Sequence, residues 1–170
     1  AGLLEGALDE EVNIVNAEVL LRGRGIELRE ESRTEPGAFS SSITADVRCQ
    51  GKSFVAGGTL FGNHMPRLIR LDDYRLEAYL DGFLLVFTHN DVPGIIGRVG
   101  TIFGQHKVNI GQMSVGRAGE SPGGAAVGVM NLDSMPSPAS LEEVAKQPDI
   151  RQVKVITMPA AGQGPPWLQG

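Results

Sequence analysis

The chain has 170 residues, 41% of them apolar and 21% charged, with a formal net charge of -5 at pH 7; that is an ordinary folded composition for one or two compact domains and not a disordered one. No apolar run approaches the roughly 18 residues of a membrane span, the start lacks the basic flank and cleavage signal of a secretory leader, and no stretch concentrates Lys and Arg beside aromatics as nucleic-acid surfaces do. The expectation is a cytoplasmic protein with neither a membrane nor a nucleic acid as partner.

The opening 24 residues read as two helical pieces, "AGLLEGALDE" and "EEVNIVNAEVLLRGRG". In the second, Val12, Val15, Val19 and Leu20 form an apolar stripe closed by Gly25. Two short helices bury little alone and need a sheet to lie on. The strands predicted to supply it are "GIELREESR", then "SSITADVRCQ" turning at Gly51-Lys52 into "SFVAGGTLFG", then "PRLIRLDDYRLEAYLDG" with a turn at Asp72-Asp73. Within "SSITADVRC", Ile43, Ala45, Val47 and Cys49 alternate like the buried face of a strand, so the single cysteine reads as a small core residue. A lone cysteine also excludes an internal disulfide or a thiolate zinc cage. Residues 1–82 thus predict a small α+β domain. It opens on a helix with no strand before it, as a piece of a longer protein would.

From residue 83 the pattern is a strand (Phe83 to Thr88), a helix (Pro93 to about His106), a strand (Asn109 to Arg117), a Gly/Ser/Pro loop and a strand (Ala125 to Leu132). A short helix "SLEEVAKQ" and a strand "QVKVITM" complete it. This βαββαβ order over residues 83–159 predicts a ferredoxin-like sandwich of one antiparallel sheet and two helices. The Gly- and Pro-rich stretch 160–170 reads as a loose tail. The fold class is therefore α+β throughout.

The first helix of the second domain carries Ile95, Ile96, Val99, Ile102 and Phe103 on one apolar face. Gly97, Gly100, Thr101 and Gly104 fall on a neighbouring stripe of very small residues. A glycine inside a helix costs about 1 kcal/mol relative to alanine, so the stripe asks for a close approach: another strand, a second copy of the chain, or a ligand. Pro93 fits the first helical position. Just ahead of it, His89 and Asp91 lie two residues apart and point to one side if the strand persists. The helix start suits a carboxylate and Asp91 suits an ammonium group, together a receptor for an α-amino acid. On spacing alone the alternative stays open that Asp91 caps the helix and His89 merely ends the strand. Asn109 has an amide that both donates and accepts, but alone it reads equally as a turn residue. No GxSxG, P-loop, HExxH or GxGxxG pattern occurs, and the three histidines lack metal-ligand spacing.

"HNDVPGIIGRVGTIFGQHKVNIGQMSVGR" followed by "GGAAVGVMNLDS" closely resembles the ACT domain at the C-terminus of the D-3-phosphoglycerate dehydrogenase family. "VNIVNAEVLLRGRGIEL", "VAGGTLFG" and "PRLIRLDDYRLEA" resemble the intervening, allosteric substrate-binding domain of its long form. The resemblance implies a non-catalytic regulatory fragment of a serine-biosynthesis dehydrogenase. Its ACT domains pair with their sheets joined and hold L-serine, or a similar small amino acid, at the interface for feedback control. The positions it assigns to the effector are occupied here by His89, Asp91 and Asn109; Val92 replaces an Arg common before the proline. For the first domain it implies an anion site, with Arg67 and the nearby His64 as candidates. It implies NAD for the catalytic domains outside this chain, and no cofactor or metal within it. The rival readings are the regulatory part of an L-serine dehydratase and a free-standing amino-acid-binding module.

Overall fold

The computed structural model describes residues 4, 8–32, 34, 39, 41–62, 65–120 and 122–159. They fall into two compact units, one before residue 38 and one from residue 38 onward.

Among its described residues the first unit contains one helix, α1 (Ala17–Gly23). The Asn13 carboxamide oxygen accepts from the backbone N–H groups of Val15 and Asn16 at 2.9 and 3.0 Å, turning the chain into the helix. At its other end Gly25 adopts φ 71°, Ile26 N–H reaches the Leu21 carbonyl and Gly25 N–H that of Arg22, both at 3.0 Å. This paired closure is a Schellman motif, and it needs a left-handed residue where the glycine stands. Ala17, Leu21 and Leu4 are buried together, with Leu8, Val12 and Leu20 against them. The predicted stripe is therefore corrected: Val15 and Val19 are 82% and 69% exposed, because the helix turns Ala17 and Leu21 inward instead. The predicted strand over residues 25–33 is absent; residues 26–32 have no regular structure. Ile26 and Leu28 alternate correctly, but among the described residues no strand pairs with the segment to give its backbone a ladder. Most of the predicted helix over residues 1–10 lies outside the described residues, and residues 8–13 are not helical.

The second unit is built on one sheet with the order β1-β2-β3-β4-β6-β7-β5-β8. An antiparallel meander of β1 (Ser42–Cys49), β2 (Lys52–Phe61), β3 (Met65–Leu71) and β4 (Tyr74–Tyr79) comes first. Its tight turns are Gln50-Gly51, where both φ angles are positive, and Asp72-Asp73. The Asp72 carboxylate also accepts from Val55 N–H at 2.8 Å, which anchors that turn to β2. The predicted buried face of β1 is corrected: Ile43 is 77% exposed, Val47 44%, and Cys49 is exposed. β1 is an edge strand, and among the described residues no layer of its own unit covers that face.

The remainder is β5 (Phe83–Asn90), α2 (Ile95–Gln105), β6 (Ile110–Arg117), β7 (Ala125–Leu132), α3 (Pro138–Ala145) and β8 (Ile150–Thr157). The order β6-β7-β5-β8 with both helices on one face is the ferredoxin-like arrangement. Leu85, Phe87, Met130 and Leu132 of the sheet bury Val99, Ile102 and Phe103 of α2 and Val144 of α3. A Cβ at Gly128 would stand 2.2 Å from the Phe87 ring, so only glycine lets that ring lie across β7. α3 starts with the Ser137 hydroxyl accepting from Ser140 N–H at 3.1 Å and Pro138 at the first turn.

α2 starts later than predicted. Pro93 lies in the preceding turn and Gly94, at φ 85°, is the N-cap. The apolar face packs as expected, but a Cβ at Gly97, Gly100 or Gly104 would meet nothing within 4 Å. The close approach predicted for this stripe is not made by any of the described residues. A close approach occurs instead where β4 meets β6. A Cβ at Gly116 would stand 2.5 Å from the Arg75 carbonyl oxygen, Arg75 is the register partner of Arg117, and Glu77 N–H donates to the Ser114 hydroxyl at 3.1 Å. The outer edge of β6 is thereby occupied, and the end strands of the sheet are β1 and β8.

Candidate functional site

Strand β5 delivers His89 to the helix-facing side of the sheet, where its ring stacks on Phe87 at 5.4 Å and is 1% exposed. Nδ1 lies 2.7 Å from the Asn90 carbonyl oxygen. A carbonyl can only accept, so Nδ1 carries the proton. Nε2 is then a buried lone pair with no hydrogen-bond partner. In this tautomer the free nitrogen accepts and suits a hydroxyl or an ammonium group.

Asp91 stands two residues after His89, fixed by its N–H to the Gly124 carbonyl at 2.8 Å. Its carboxylate reaches past β7 to Arg117 at the end of β6, with Nε and Oδ2 2.7 Å apart. The N–H does not point at that oxygen, so Oδ2 has a charge partner but no hydrogen bond. Asp91 is not a helix cap: no side chain caps α2, and its first turn carries no acidic residue. The partial positive charge of the helix start is left for another anion.

A second group of side chains sits on the β8 flank. The Asn90 amide donates to Asp149 at 3.0 Å, and its oxygen accepts from Arg151. Arg98, in the first turn of α2, lies 3.7 Å from Asp149 and has buried Nε and Nη2 atoms with no hydrogen-bond partner. Sequence reasoning missed Arg98, Arg117, Asp149 and Arg151. Arg98 follows Pro93 closely enough to have been placed at the helix start, but the others arrive only through strand pairing.

Asn109 does not join His89 and Asp91 within one chain. Phe83, Leu132 and Ile110 share one end of the sheet, and His89, Ala126 and Arg117 the other. Asn109 precedes Ile110 and donates to the Asp133 carboxylate at 2.6 Å, about 20 Å from His89 at roughly 3.3 Å per strand residue. Arg67 is 9% exposed, with its guanidinium 3.8 Å over the Tyr79 ring and 3.9 Å from Glu77. His64 lies outside the described residues.

The sequence matches the D-3-phosphoglycerate dehydrogenase intervening domain over residues 1–72 and the ACT domain over residues 83–149. It is 37% identical over 145 residues to the D-3-phosphoglycerate dehydrogenase of Archaeoglobus fulgidus, covering 85% of this chain and 27% of that protein. It is 32% identical over 157 residues to that of Methanocaldococcus jannaschii, covering 92% and 29%. It is 30% identical over 159 residues to that of Bacillus subtilis, covering 94% and 30%. The chain thus spans under a third of the length of each of these relatives. Two domains matched in the same order, each within its own stretch of the fold, identify the chain as a member of the D-3-phosphoglycerate dehydrogenase family, corresponding to its C-terminal regulatory part.

Proposed function

We propose that this chain is the regulatory part of a cytoplasmic, NAD-dependent dehydrogenase of serine biosynthesis, with an intervening domain over residues 1–82 and an ACT domain over 83–159 that binds L-serine for feedback control. Catalysis and NAD belong to the larger part of the relatives' length that this chain does not span. The observation that carries the reading is the buried, unpartnered Nε2 of His89, with the Asp91 carboxylate two residues along the chain and an uncapped start of α2 after it. These three features match the three polar parts of serine: Asp91 takes the ammonium group, the first N–H groups of α2 take the carboxylate, and Nε2 accepts from the side-chain hydroxyl.

The assigned residues stand at both ends of one sheet, so they meet only across two chains. α2 begins at the His89 end and finishes near Asn109. A second copy laid antiparallel along the open glycine stripe brings its own Asn109 towards this chain's Asp91. With the outer edge of β6 already taken by β4, the stripe is the surface the proposal uses for self-association. Serine shifts the assembly to the extent that it binds one arrangement better than another.

Calorimetric titration of the chain with L-serine tests this. Asp91→Ala is expected to weaken binding about ten- to a hundredfold, the loss of a charge-assisted hydrogen bond, while Glu142→Ala on the exposed face of α3 leaves it unchanged. No heat with L-serine, glycine or alanine at millimolar concentration refutes the reading.

A further inference from the structure

The polar network on the β8 flank of the strand end is saturated except at one member. Asn90 donates its backbone N–H to the Asp149 carbonyl at 2.9 Å and its side-chain amide to Asp149 Oδ1 at 3.0 Å, while its own Oδ1 accepts from Arg151. Arg98 is left over. Its Nη2 lies 3.7 Å from Asp149 Oδ2, too far for a hydrogen bond, and Nε and Nη2 are both buried with no hydrogen-bond partner among the described residues.

Those two nitrogens belong to one edge of the planar guanidinium and donate side by side, the fork that fits both oxygens of a carboxylate. An empty fork of this kind is costly, because unmet buried donors on a charged group cost more than neutral ones. The Arg98 N–H reaches the Gly94 carbonyl at 3.0 Å, which places the residue in the first turn of α2. A helical side chain runs back over the turn that precedes it, and the contact with Asp149, itself bonded to Asn90, sets the head at the end of β5 where α2 begins. Charge points the same way. Arg98 and Arg151 face the single carboxylate of Asp149, the helix start adds its partial positive charge, and Asp91 is already paired with Arg117. The Arg98 side chain is 40% exposed, so its head can turn the fork to a ligand without disturbing Ile95 and Val99, which are buried beneath α2.

We propose that Arg98 binds the α-carboxylate of the amino-acid ligand, its Nε–Nη2 fork taking both oxygens beside the first N–H groups of α2. The assignment rests on the reading of the chain as an L-serine sensor and adds a specificity to it: the ligand must carry a free carboxylate. A carboxamide offers one oxygen and sets an NH2 group against the second donor of the fork. Asp149 is the competitor, since its charge draws the same guanidinium.

The test is calorimetric titration of the chain with L-serine and with L-serinamide, which keeps the ammonium and hydroxyl groups and lacks the carboxylate. The parent is expected to favour serine, and Arg98→Gln to weaken serine about ten- to a hundredfold while changing serinamide by less than about twofold, so that the preference disappears. Its urea midpoint is expected to stay in place, because the fork holds nothing in the unliganded chain. Asp149→Asn keeps an oxygen for Asn90, tolerates the φ of 70° at that position and removes the competing charge. It is expected to tighten serine about two- to tenfold, a gain that loss of folding cannot imitate. Serine binding that survives Arg98→Gln overturns the assignment and leaves the sensor reading intact, as does an equal loss of serine and serinamide together with a lowered urea midpoint, which makes Arg98 a structural residue. A parent chain that binds no serine overturns both.

Discussion

His89 Nε2 is an acceptor sealed from water with nothing to accept from, and such a group costs about 1–3 kcal/mol where it stands. A hydroxyl-bearing ligand removes that cost and an alanine does not, so the ring is expected to set the preference for serine over alanine. His89→Phe keeps the stacking on Phe87 and deletes the acceptor. It is expected to erase the preference by weakening serine about two- to tenfold while leaving alanine within twofold, as calorimetry with each amino acid reads. Unchanged discrimination would place the hydroxyl elsewhere. The i, i+2 spacing of His89 and Asp91 was legible because both sit on one strand end. The Arg117 partner of Asp91 was not, because it arrives through β7 from 26 positions along the chain. The free nitrogen of His89 was equally invisible, since the Asn90 carbonyl fixes it only once the strand has formed.

At the level of elements, glycine was the most visible signal and the most misleading. Gly97, Gly100 and Gly104 stand out by their helical spacing, yet nothing among the described residues approaches them. Gly116 and Gly128 look like incidental strand glycines, yet a Cβ at the first would overlap the Arg75 backbone and at the second the Phe87 ring. Periodicity reports which face is small; it does not report what comes close to that face. Gly116→Ala is therefore expected to cost about 1–3 kcal/mol of stability by overpacking, measured as a lowered urea midpoint. Gly119→Ala, with open space around it, leaves the midpoint in place. If Gly116→Ala is as stable as the parent, β4 and β6 do not meet as closely as described. The same limit explains β1. Its alternation correctly named a strand, but Ile43 and Val47 face out because an edge strand is covered only if some further layer supplies the cover. The βαββαβ order, by contrast, was legible almost to the residue, because each element carries its own period and ends in its own turn residues.

For the assembled molecule, the separation of Asn109 from Asp91 turns the proposed self-association into a complementation experiment. In a two-fold pair each site takes His89 and Asp91 from one copy and Asn109 from the other, and the pair contains two such sites. Asp91→Ala and Asn109→Ala each damage both sites of their own homodimer, so both variants are expected to bind L-serine weakly. Mixed and allowed to exchange, they form heterodimers in which one site carries both defects and the other carries neither. Random pairing then restores parental affinity at about a quarter of all sites, visible as a tight phase in calorimetry that neither variant shows alone. Sedimentation of the parent at micromolar concentration is expected to give a dimer. A monomer in the presence of serine removes the interface, and a dimer whose mixed variants show no tight phase means that one chain supplies the whole site. The second outcome would return Asn109 to its contact with Asp133 and leave the start of α2, with Arg98 beside it, to hold the ligand unaided.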